Sequence, residues 1–160
     1  MNTEQLLVQT ALSSWELWLG RTSKAFDSLT DEKMLTEIAP GKNRPVYLLG
    51  HLLVVNDAMI SQLRLGESAH ENLREAFLKQ PDRAAIETPS ISELRQFWKD
   101  TNSRLSELMT ELAPADWLEH HALVSEEDFA REPLRNRLAI LLSRTSHISY
   151  HLGQLILLSK

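Results

Sequence analysis

The sequence predicts an all-α fold, a four-helix bundle with long connecting loops. Three observations carry that expectation. Apolar residues recur at helical spacing almost throughout; four of the periodic segments are long; and no strand-like alternation joined by Asn-Gly or Asp-Gly turns interrupts them. A chain of 160 residues, 42% hydrophobic and 24% charged, can form one domain spanning 1–160 and bury a core without covalent staples.

The first long helix is expected from about Thr3 to Leu29, with Leu6, Leu7, Ala11, Trp15, Trp18 and Leu19 on or near one side. Gly20 weakens this run without ending it. Thr30 can cap a short helix running through Ile38, which Ala39-Pro40-Gly41 stops. The second long helix starts near Pro45, a residue suited to a first turn, and ends around Leu65-Gly66. A polar stretch from Glu67 to Pro89 follows, with one helical turn expected within Asn72 to Lys79. Ser90 with Glu93 three residues later is a capping-box pattern, and it opens the third long helix, through Leu94, Phe97, Trp98, Leu105 and Leu108 to about Leu112. A connection from Pro114 to Glu132 contains the acidic run Glu126 to Asp128, a solvated helix start that Ser125 can cap. The fourth long helix is expected from Pro133 almost to the C-terminus. Its core stripe is Leu134, Leu138, Leu141, Thr145, Ile148, Leu152 and Leu155. Loops this long in a small bundle often form a binding site at one end.

Composition excludes several classes of function. There is no cysteine, so disulfides, thiolate metal sites and cysteine nucleophiles are ruled out. A net charge of −5 without a basic stripe argues against nucleic acid as a partner. No segment has the length of uninterrupted apolar sequence that a membrane span needs, and MNTEQLLVQT lacks the pattern of a signal peptide. The expected location is the cytoplasm.

The six histidines carry the chemistry. His147 and His151 are four residues apart on the last helix, beside its core stripe, so both rings can converge on one point. Such a pair is often simply one packed and one solvated histidine. Ile148-Ser149-Tyr150 between them holds no glutamate, so the metalloprotease motif and the Glu-x-x-His of di-iron bundles are both absent. His51 lies in YLLGHLLVV and is expected to be buried, where an imidazole needs partners for its nitrogens. Tyr47, one turn earlier, can supply a hydrogen bond; alternatively, His51 completes a three-histidine site across two facing helices. Arg144 can bind a carboxylate, or else is a surface residue; Gln154 can orient a ligand or a histidine ring, or else is a packing amide. His70 is expected to be solvated, and His120 and His121, being adjacent, cannot both reach one metal. The four tryptophans read as packing residues.

The residues RPVYLLGHL around His51 and SHISYHLGQL near the C-terminus, with the Pro-Gly loop before the second long helix, resemble the DinB-like (DinB/YfiT) superfamily of metalloenzymes along essentially the whole chain. The resemblance implies one divalent transition metal per chain (zinc, nickel or iron) on His51, His147 and His151, and a homodimer. It also implies a thiol S-transferase chemistry, because the superfamily includes enzymes that use small thiols such as bacillithiol or mycothiol. The partners would then be a small-molecule thiol and an electrophile. Three neutral imidazoles leave an ion its full charge, which lowers the pKa of a bound thiol or water. Metal-dependent hydrolysis is therefore the alternative chemistry, and a non-catalytic metal-binding dimer the alternative class. With no cysteine in the chain, any thiol must arrive with the substrate.

Overall fold

The computed structural model describes residues 2–158. The protein is all-helical, and the only strand-type pairing among the described residues is an isolated antiparallel bridge between His120 and Asn136. Helix α1 spans Thr3–Asp27 behind a capping box in which Asn2 and Gln5 bond each other's backbone at 2.8 and 2.9 Å. Its buried stripe is Val8, Ala11, Trp15, Leu19, Thr22 and Phe26, at spacings of three or four residues. Leu6 and Leu7, expected on that stripe, are exposed instead, because the register set by Trp15 turns Val8 inward. The helix stops at Asp27, where the Arg95 guanidinium donates to the carbonyls of Phe26 and Leu29.

Thr30 caps helix α2, Asp31–Met34. This helix is shorter than the expected run to Ile38, because the Ile38 N–H is taken by the Asn43 carbonyl. Helix α3, Pro45–Gln62, is the core element: every residue from Leu48 to Ile60 except His51 is buried. It ends before Leu65-Gly66 in a Schellman motif, with Arg64 in the left-handed region (φ 61°) where glycine is usual. The Leu65 N–H donates to the Ile60 carbonyl and the Arg64 N–H to that of Ser61.

The polar stretch forms a 3₁₀ turn, Glu71–Leu73, and a π turn, Glu75–Lys79, where one helical turn was expected. Three ties bind it to α3. The Asp57 carboxylate, 2% exposed, accepts the Ala69 and His70 N–H groups at 2.9 Å; the Tyr47 hydroxyl donates to the Gln80 carbonyl at 2.7 Å; and Arg44 donates to Asp82 through its backbone N–H and guanidinium.

Ser90 and Glu93 form the expected capping box at the start of helix α4, Ile91–Thr110. Ser125 caps the short helix α5, Glu126–Arg131, whose acidic first turn is exposed. Helix α6, Arg137–Leu155, starts four residues later than expected. The Asn136 side chain accepts the Ala139 N–H and donates to the Pro133 carbonyl, while the Arg137 N–H bonds the Glu119 carbonyl, so Pro133 to Arg135 lie outside the helix. Leu134 is consequently 83% exposed and drops out of the predicted core stripe; Leu141, Thr145, Ile148, Leu152 and Leu155 remain buried.

Helix α1 packs chiefly on α6, and α3 chiefly on α4; α3 and α6 meet along the seam between the two pairs. Trp15, Phe26, Leu52, Met59, Leu94 and Leu141 are among the fully buried residues of one core cluster, each worth roughly 1.5–3 kcal/mol of apolar burial. Among the described residues, no helix is long and apolar enough to cross a membrane.

Candidate metal centre

His51 on α3 faces His147 and His151 on α6 across the seam. The His147 Nε2 lies 3.1 Å from His51 Nε2 and 3.0 Å from His151 Nε2, and the three candidate donor atoms fall within 4.8 Å of one another. Two of the rings are oriented from behind. His51 Nδ1 donates to the Phe77 carbonyl at 2.9 Å, and His151 Nδ1 donates to Gln154 Oε1 at 2.7 Å, while the Gln154 amide reaches back to the Tyr150 hydroxyl. Both acceptors fix the proton on Nδ1 and leave Nε2 as a bare lone pair. His147 Nδ1 is buried without a partner.

Burial disfavours the charged form at all three rings, and each is held below the ordinary histidine pKa. His147 falls furthest, to about 4: burial is the main cause, and His151, His51 and Arg144 add repulsion. At neutral pH the cluster is three neutral imidazoles.

That arrangement fits a metal ion on its hydrogen-bond arithmetic. A single proton on His147 Nε2 can satisfy only one of its two neighbours. In the other tautomer three lone pairs face one another at close range. A cation at the common point satisfies all three. Imidazole nitrogens ~2.0–2.1 Å from a tetrahedral zinc stand roughly 3.3 Å apart, close to the separations here.

Gly50 explains how Phe77 reaches its position. A Cβ at residue 50 would fall inside contact distance of the Phe77 ring, 2.6 Å from Cζ, so only glycine lets the π turn lie this close to α3 and aim its carbonyl at His51. Tyr47 does not play the part expected of it. Its hydroxyl is committed to Gln80, and its ring stacks against His51 with centroids 6.4 Å apart instead of bonding it. His51 itself is half-buried, being open on the side of the pocket.

This pocket, of about 280 Å³, is bounded by His51, Val55, Ala58 and Gln62 along one face of α3, by Arg144 and His147 on α6, and by Arg74 and Leu78 of the covering segment. No carboxylate lines it among the described residues. Asp57, the nearest acidic residue along α3, is buried and committed to loop N–H groups. Arg74 and Gln62 were missed from the sequence. Gln62 was detectable, lying 4, 7 and 11 residues along with Val55 and Ala58 on the His51 face; nothing marked Arg74.

The other histidines stay outside the cluster. His70 is not simply solvated: it is half-buried and lies over Phe97 with centroids 4.7 Å apart. His120 bonds the Arg64 guanidinium at 3.0 Å, and His121 is buried, accepting the Leu123 N–H. Trp15 and Trp117 are fully buried, as packing residues are.

Fold and site together define an all-helical protein with a three-histidine cluster able to hold a metal ion. Residues 15–155 match the DinB superfamily, and the chain belongs to that superfamily. No curated protein was found to match the sequence.

Proposed function

We propose that the chain is a four-helix-bundle metalloprotein that holds one divalent transition ion on His51, His147 and His151 and activates a low-molecular-weight thiol for transfer to an electrophile. The convergence of three imidazole Nε2 atoms, that of His147 lying 3.1 and 3.0 Å from those of His51 and His151, carries this reading. When bound, an ion on three neutral ligands supplies charge that lowers the pKa of a thiol reaching its open side. Phe77 and Gln154 hold the His51 and His151 rings in the ligating tautomer. Val55, Ala58 and Leu78 supply an apolar wall for the body of the bound molecule. In the transfer, the thiol's S–H proton leaves to solvent, a sulfur–carbon bond forms, and the electrophile's leaving group departs with its electron pair. The absence of a carboxylate from the pocket lining favours this chemistry over hydrolysis, which benefits from a general base on water.

Elemental analysis of protein purified without an affinity tag is the first test, with one transition metal per chain expected. His147→Ala and His151→Ala at full metal occupancy would overturn the ligand assignment. The loaded protein should then conjugate chlorodinitrobenzene with a small thiol, and His51→Ala should abolish the rate. A metal-loaded protein inactive across a panel of thiols and electrophiles refutes the transferase reading and leaves a metal-binding protein without turnover.

A further inference from the structure

We infer that Arg144 and Arg74 form an anion-binding subsite beside the histidine cluster, so that the small molecule admitted by the pocket carries a carboxylate or similar anionic group. This names the substrate class of the site proposed above, and rests on that reading for its role in catalysis.

Arg144 precedes His147 by three residues and projects from the same face of α6. Its guanidinium is half-buried, its Nε is sealed from solvent without a partner, and it forms no ion pair among the described residues. One long bond, 3.3 Å from Nη2 to Gln62 Oε1, is its only side-chain hydrogen bond there. A cation withdrawn from water without a counter-charge is costly, and the cost is recovered when an anion arrives. Arg74 lines the same pocket from the covering segment. Its partner, Glu71, is 3.4 Å away in an exposed pair and does not line the pocket, so that contact is weak and yields readily to a better one. Two guanidiniums without a carboxylate give the lining a net positive charge, and guanidinium groups match planar oxyanions. Val55, Ala58 and Leu78 line the same pocket as the arginines, His51 and His147. The ligand that fits has a short apolar body and an anionic end. The volume, about 280 Å³, lies below the ~300–1,000 Å³ of drug-sized pockets.

The test titrates zinc-loaded protein with mercaptopropionate and with its neutral amide, following binding by calorimetry, and titrates metal-free protein with propionate and with inorganic phosphate. The acid should bind zinc-loaded protein at least about tenfold more tightly than the amide. Arg144→Gln should erase the preference and Arg74→Gln, at a more exposed position, should reduce it several-fold. An acid that merely chelates the ion keeps its preference in Arg144→Gln, and that result overturns the subsite, as does equal binding of acid and amide. Arg144-dependent binding of propionate to metal-free protein supports the subsite even if the zinc reading fails. Tighter binding of phosphate than of propionate identifies a phosphate-bearing ligand instead of a carboxylate, and either result supports an anion site.

Discussion

Replacing Gly50 with alanine isolates the contact that aims His51. The new methyl would sit 2.6 Å from Phe77 Cζ, whereas carbon atoms need ~3.5–4.0 Å, so the ring must retreat by about 1 Å. Phe77 is 4% exposed and has little room to do so. Overpacking of this kind costs ~1–3 kcal/mol, and alanine returns ~0.5–1 kcal/mol of helix propensity. The net loss is about 1 kcal/mol. The effect on the site is larger. A shift of ~0.6 Å in the Phe77 carbonyl stretches its 2.9 Å bond from His51 Nδ1 past the ~3.5 Å limit, and losing such an orienting bond lowers metal affinity by roughly 10–100-fold. Gly20 is the control: it lies mid-helix in α1 with nothing within 4 Å of an added Cβ, so Gly20→Ala should stabilise by ~0.5–1 kcal/mol and leave the site unchanged. Urea unfolding of metal-free protein and zinc competition with a chromophoric chelator read both effects. If Gly50→Ala stabilises as Gly20→Ala does and keeps wild-type zinc affinity, the positioning of His51 through Phe77 is wrong.

Gln154→Leu should lower zinc affinity by roughly 10–100-fold with only ~0.5–1.5 kcal/mol lost from the metal-free fold, while Gln154→Glu, which keeps an acceptor for His151 Nδ1, should retain affinity in the same competition assay; equal affinities for all three proteins would remove Gln154 from the site. The metal-free protein should lose stability as pH falls. Its histidine cluster resists protonation, chiefly through burial, whereas the unfolded chain takes up protons at the ordinary pKa of 6.5. The contribution is complete above pH 6.5, declines below it, and for His147 levels off near pH 4. Urea midpoints measured across that window should fall, and His147→Asn should flatten the slope; an unchanged slope would show that His147 titrates normally.

Local chemistry made much of this fold legible. Pro45, the Ser90/Glu93 capping box, Thr30 and Ser125 all act at helix starts as their side chains suggest, and the His147/His151 spacing places both rings together. Long-range contacts hid the rest. Asn136 displaces Pro133 as the start of α6 because its cap is reinforced from Glu119, and no local pattern encodes that partner. Arg64 ends α3 in a conformation normally left to glycine, two residues ahead of the glycine that was available. Tyr47 was a sensible partner for His51 by helical spacing. The acceptor that won, Phe77, comes from a π turn 26 residues away, and its access depends on the missing side chain of Gly50.

The seam between the α1/α6 and α3/α4 pairs has a consequence for folding as well as chemistry. His51 and His147 are 96 residues apart in the chain. An ion shared between them cross-links the polypeptide across a loop comparable to the 100-residue loops for which a covalent tie removes about 4.7 kcal/mol of chain entropy from the unfolded state. Loading the site therefore fastens the α3/α4 pair to the α1/α6 pair along the α3–α6 seam, adding to the contacts that Arg95, Trp98 and Ser106 of α4 make with α1. A chelator then becomes a tool for loosening the molecule along that seam, reversibly and without a mutation.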